Sequence, residues 1–161
     1  MLWHLMLRKK TKHISHLSKI FAVNMNITRT FLKDLVYEVN GAAIEVHKSL
    51  GPSLLENVYH QCIKKELDLR KIKYCSELQI PLNYKGYELE SKLRCDLFIE
   101  NSLVVELKSV IEINPIFEPQ LLTYMNLLKA PMGLLINFSV KNIYYEGQKT
   151  MVNEFYRSLE D

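Results

Sequence analysis

Asp96, Glu106 and Lys108 fall within one stretch, Leu93 to Ser109, at a spacing that brings two carboxylates and an ammonium to one place. The arms Leu93–Ile99 and Leu103–Lys108 are rich in Leu, Ile, Val and Phe. Between them Glu100-Asn101-Ser102 has the polar character of a short hairpin loop. A turn centred on Asn101 sets Asp96 opposite Glu106 and Arg94 opposite Lys108. Side chains alternate along a strand, so Cys95, Leu97, Ile99, Leu103, Val105 and Leu107 then share an apolar core face. The other face carries Arg94, Asp96, Glu106 and Lys108 beside Phe98 and Val104. Two carboxylates directly opposite have Cβ atoms about 5 Å apart, and at an effective dielectric of about 20 they repel by about 3 kcal/mol.

A divalent cation is the simplest compensation. Hard ions such as Mg²⁺ or Mn²⁺ take carboxylate and carbonyl oxygens and keep water or phosphate in their remaining positions. Lys108 points into the same site, where it can orient or help deprotonate an attacking water and offset charge on a phosphorane-like transition state. The set predicts metal-dependent hydrolysis of a phosphodiester. The competing reading is a solvated hairpin face with two cross-strand ion pairs. A Glu-x-Lys triplet alone does not decide, since a chain of this length yields roughly one by chance. Glu90-Ser91-Lys92 is indeed a second, with Ile80 where the partner acid would stand.

Asp96 followed by Glu106-x-Lys108 on consecutive strands resembles the catalytic signature of the PD-(D/E)xK nuclease superfamily. More narrowly, Gly51-Pro52-Ser53-Leu54-Leu55-Glu56-Asn57-Val58-Tyr59 is similar to the motif of the small GxxExxY proteins, a branch of that superfamily. The resemblance runs from Ile27 to Asn153 and includes Glu45-Val46-His47, Gln120-Leu121-Leu122-Thr123-Tyr124 and Gly133 to Phe138. Two positions depart from the pattern: Ser53 replaces the first glycine of the motif, and Cys95 replaces the proline before the first acid. The resemblance implies a nuclease acting on DNA or RNA with Mg²⁺ or Mn²⁺. Asp96, Glu106 and the Leu107 carbonyl would hold the metal and Glu56 would support it. Lys108 would position the water, and Gln120 would orient Lys108 or water. The alternative is a non-catalytic nucleic-acid-binding or assembly subunit that keeps the nuclease fold.

Several of these residues have plainer roles open to them. Ser53-x-x-Glu56 also reads as a capping box, in which Glu56 only bonds back to the Ser53 amide. Gln120 can be a surface residue, with Tyr124 one turn later on the same face. His47 reads better as a packing residue at a helix C-terminus than as a ligand, and Tyr59 as a core residue with its hydroxyl near the site.

The elements that must carry this set read α, α, β, β, β, α, β. Phe31, Leu35, Val39, Ala42, Ala43 and Val46 recur at helical spacing from Thr30 to about Leu50, where Gly51-Pro52 stops the helix. A second helix is expected from Ser53, with Leu54, Leu55, Val58, Tyr59, Cys62, Ile63 and Leu67 inward. Tyr74 to Tyr84 alternates as a strand, with Pro81 marking an edge or a bulge. Ile116–Lys129 has helical spacing, and Met132 to Phe138 is a continuous apolar run of buried-strand type. The expected class is α/β, with a restriction-endonuclease-like core of α-β-β-β-α-β order. A mixed central sheet is flanked by helices, with an extra helix at its N-terminal side.

Composition adds limits. The chain is long enough for one domain, expected over residues 25–161, and no apolar run approaches a membrane span. Three cysteines without metal-type spacing fit free thiols in a reducing cytoplasm. Residues 1–24 carry five bases and no acid, so the net +3 conceals a net −2 for the rest. That basic segment reads as a flexible nucleic-acid-capturing arm or as a misassigned start ahead of Met25. With so little positive surface outside Lys64, Lys65, Arg70, Lys71 and Lys73, the domain is expected to need a second copy or a protein partner to grip its substrate.

Overall fold

The computed structural model describes residues 27–161, so the basic segment 1–24 lies outside the described residues. Helix α1 spans Arg29–Leu50. Thr28 caps its start by accepting from the Phe31 amide, and Gly51 ends it at φ 70, a left-handed value that favours glycine. Helix α2 spans Glu56–Leu69. Strands β1 (Tyr74–Tyr84), β2 (Tyr87–Ile99) and β3 (Leu103–Lys108) form an antiparallel meander. Helix α3 (Phe117–Leu127) then crosses over to β4 (Met132–Asn137), which lies parallel to β3. A single turn, α4 (Ile143–Glu146), the edge strand β5 (Gln148–Val152) and a last turn, α5 (Glu154–Arg157), complete the chain. The strands stand in sequence order in one mixed five-stranded sheet. This is the expected α/β architecture, extended by β5 and the two single turns.

The sheet is covered on both sides. Leu32, Leu35, Val39, Ala42, Ala43 and Val46 of α1, with Tyr59, Ile63 and Leu67 of α2, pack on Leu97, Ile99, Leu103, Val105 and Leu107. Leu121, Tyr124, Met125 and Leu128 cover the other side, on Phe98, Val104 and Leu135. Burial on both faces explains why β3 and β4 read as unbroken apolar runs. Helix α3 approaches β4 so closely that a Cβ on Gly133 would stand 2.5 Å from the Met125 sulfur.

Three expectations need correction. Helix α2 begins at Glu56, not Ser53. Ser53 has φ 77 and Leu55 is the N-cap without a side-chain bond, so no capping box forms and Leu54 and Leu55 stay exposed. Arg94 does not face Lys108: the β2–β3 pairing extends only from Ile99↔Leu103 to Leu97↔Val105, and Arg94 pairs with Glu77 of β1 instead. Cys95 does not share the core face of Leu97: it joins Phe98 and Val104, the apolar residues of the other face, in the core under α3. The reason lies in β1, where Glu77, between the pairs Ser76↔Leu97 and Leu78↔Cys95, takes φ 52. That local break turns the ribbon so that alternation does not carry through Asp96.

Pro81 has both expected properties. Its strand is an edge of the sheet, and the register shifts between Pro81 and Asn83.

Candidate active site

Where the β2–β3 ladder stops, side chains take over its hydrogen bonds. The Asp96 amide donates to Glu106 Oε1 at 3.1 Å, and the Leu107 amide donates to Asp96 Oδ2 at 2.8 Å. Each carboxylate is thus held by a main-chain N–H of the other strand. This fixes one oxygen of each acid through the main chain. Lys108 Nζ donates to Glu106 Oε2 at 3.2 Å, and both side chains are nearly enclosed. The hairpin therefore brings Asp96, Glu106 and Lys108 together as its spacing implies.

Burial and the Asp96 charge push the Glu106 carboxyl up to about 7, against the opposing pull of Lys108. For Lys108, burial favours the neutral amine, but the charges of Glu106, then Asp96 and Glu56, outweigh it and hold the group above its ordinary range. Lys108 is therefore an ammonium. Its Nζ also stands 5.1 Å from the centroid of the Phe117 ring, the first residue of α3.

Glu56 opens α2 and its charge reaches Lys108. The turn before it is braced from two sides. Tyr59, fully buried and stacked on Phe138 at 4.3 Å, donates its hydroxyl to the Gly51 carbonyl and accepts from the Leu54 amide. Ser109, next to Lys108, donates to the Leu54 carbonyl. Tyr59 thus shapes the turn that presents Glu56 rather than reaching the acids. Helices α2 and α3 both start at this end of the sheet, and their positive dipole ends favour anions there.

Gln120 lies in the first turns of α3, and its amide donates to the Tyr124 hydroxyl at 2.6 Å, so its contact is with that tyrosine rather than with Lys108. His47 bonds the Val140 carbonyl and ties α1 to the loop after β4. Arg70 pairs with Glu38 and Glu66, which makes it a brace between α1 and α2.

Two residues escaped the reading of the sequence. Asn137 is buried at the end of β4, level with Lys108. It accepts from the Val110 and Ser139 amides and donates to the Val110 carbonyl, pinning the chain as it leaves the site. A polar residue closing an apolar run was its signal. Phe117 had none, because its stacking on Lys108 is wholly tertiary.

Among the described residues no group of three or more His, Cys, Asp and Glu could hold a metal. Two carboxylates and a backbone carbonyl suit Mg²⁺ or Mn²⁺ all the same, since such ions bind through one or two carboxylates and leave positions to water and phosphate.

A family model described as the PD-(D/E)XK nuclease superfamily matches residues 33–150, which contain the whole set. The chain belongs to the PD-(D/E)XK nuclease superfamily. Nucleases of this superfamily typically use divalent metals and act on nucleic acid. The solved structure of SSO0001 is 20% identical, with a TM-score of 0.47 over 95% of this chain and 78% of that one. No curated protein matches the chain. Among the described residues no helix is long and apolar enough to cross a membrane.

Proposed function

We propose that the chain is a metal-dependent nuclease that hydrolyses phosphodiester bonds in DNA, with RNA as the second substrate class. The carrying observation is the reciprocal anchoring of Asp96 and Glu106 on each other's strands, with Lys108 held as an ammonium against them. Asp96, Glu106 and the Leu107 carbonyl would hold Mg²⁺ or Mn²⁺, and Glu56 would support them. A bound ion supplies positive charge to the phosphate and lowers the pKa of a water molecule.

Lys108, being protonated, serves as a donor to the attacking water or a phosphoryl oxygen and not as the base. Gln120, bonded to Tyr124 and not to Lys108, would orient the water. The water gives a proton to bulk solvent and its oxygen bonds to phosphorus as the bond to the leaving nucleotide oxygen breaks; that oxygen takes a proton from solvent, yielding a phosphate monoester and an alcohol. The first 24 residues carry five bases and no acid, against a net charge of −2 for the rest of the chain.

Within the superfamily we assign the chain to the GxxExxY branch. Ser53, at the position of the motif glycine, takes the left-handed φ that glycine accepts best. Glu56 reaches Lys108 by charge, and Tyr59 holds the turn between them.

The test is to incubate the purified chain with Mg²⁺ or Mn²⁺ and single-stranded, duplex and branched DNA and RNA. Chelator-sensitive cleavage of at least one substrate is expected. Binding without cleavage on every substrate would overturn the reading in favour of a non-catalytic subunit.

A further inference from the structure

Strand β2 runs far beyond its partner. Its pairing with β3 ends at Leu97, yet the strand extends to Tyr87 and is accompanied there by β1 alone. The β1–β2 ribbon therefore projects past the catalytic end of the sheet, about 30 Å from Asp96 to Tyr87 at about 3.3 Å per residue. Residues 83–92 are all exposed, among them Tyr84, Tyr87 and Leu89. On the outer side of β1 the edge is blunted by Pro81 and the register shift beside it. The other side, the edge of β2 from Tyr87 to Asp96, has no strand against it among the described residues. An open edge of this kind is a template for another strand.

The residues along that edge indicate which strand. Glu88-Leu89-Glu90-Ser91-Lys92-Leu93-Arg94 is its own complement when read antiparallel. With Ser91 on a twofold axis, Glu88 faces Arg94, Glu90 faces Lys92 and Leu89 faces Leu93. A shift of one pairing step in either direction sets Glu90 against Glu90 or Lys92 against Lys92, so the charges select one register. Glu88, Glu90 and Lys92 have no ion pair of their own among the described residues. Arg94 bonds Glu77 through one nitrogen at an exposed site, which leaves further N–H groups free to donate.

We propose that two copies of the chain associate by antiparallel pairing of β2 with β2 across Glu88–Arg94, centred on Ser91. The contact is isologous, joins the two sheets into one, and brings each Lys85-Gly86 tip level with Asp96 of the other copy. It does not depend on the site being catalytic.

Analytical ultracentrifugation of the full chain tests it with two variants of uniform edge charge. E88K/E90K carries only bases along the edge and K92E/R94E only acids. The wild type is expected to sediment as a dimer at micromolar concentrations. Each variant alone should be monomeric, its dissociation constant raised about a hundredfold or more by like charges facing each other. An equimolar mixture should dimerise again, which also shows that both variants are folded. A monomeric wild type, variants that dimerise alone, or a mixture that stays monomeric would each overturn the proposal.

Discussion

Asp96→Asn should make the metal-free protein more stable, although it removes an acid proposed to be essential. In the folded chain Glu106 titrates at about 7 rather than 4.5. The folded state thus keeps a proton that the unfolded chain has already released. Stability falls as pH rises from about 4.5 to 7 and is level above, by about 3 kcal/mol in all for a group this enclosed. Burial is the larger cause and the Asp96 charge the second, with Lys108 opposing both, so removing the Asp96 charge relieves the smaller share.

Asparagine keeps an oxygen for the Leu107 amide, so the structural bond at Asp96 Oδ2 survives while the charge goes. In chelator at pH 8 the variant should melt above wild type, by about 2 to 4 °C for each kcal/mol of repulsion relieved, and the difference should vanish below about pH 5, where Glu106 is protonated in both. Calorimetric melting across this range is the assay. A variant that melts at or below wild type at pH 8 would refute this, showing that the attraction to Lys108 lost with Asp96 outweighs the repulsion relieved.

Three further outcomes follow from particular contacts. Titration calorimetry should find Mg²⁺ or Mn²⁺ binding that strengthens from pH 6 to pH 8, releases about one proton at pH 6 and almost none at pH 8, and is abolished by Asp96→Asn; equal affinity in the variant would remove Asp96 from the ligand set. Ser53→Gly should raise stability by about 1 kcal/mol in denaturant titration, because φ 77 strains any residue with a Cβ. Gly133→Ala should lower it by about 1 to 3 kcal/mol, because its Cβ meets the Met125 sulfur and Leu121 across a packed helix and strand.

The hairpin site was legible because its loop is short and its flanks strongly apolar. A turn at Asn101 fixes the register, and the register fixes which acids meet. Strand β1 was legible to the residue from its alternation and the Lys85-Gly86 turn. Strand β5 was not, since Lys149 and Thr150 are exposed on a half-covered edge and leave no alternation to read. The turns α4 and α5, capped by Asn142 and Asn153, are too short to show a period.

The start of α2 was misplaced because Ser53 has the type of an N-cap, and the sign of a backbone angle is not written in a residue type. The same limit hid the break at Glu77, which moved Cys95 to the other core cluster. Phe117 and Asn137 act on Lys108 and its neighbours only through chain brought in from elsewhere in the fold.

The central claim is that Lys108 acts beside two metal-holding acids on a scissile phosphate. Its most direct test is the single-turnover cleavage rate of Lys108→Ala, measured with nucleic-acid affinity in the same preparation. Both acids remain in the variant, so cleavage should fall by about a hundredfold or more while affinity changes little, one lost phosphate contact lowering the salt slope by about one unit. Cleavage undiminished in Lys108→Ala would contradict the account and place the activity elsewhere.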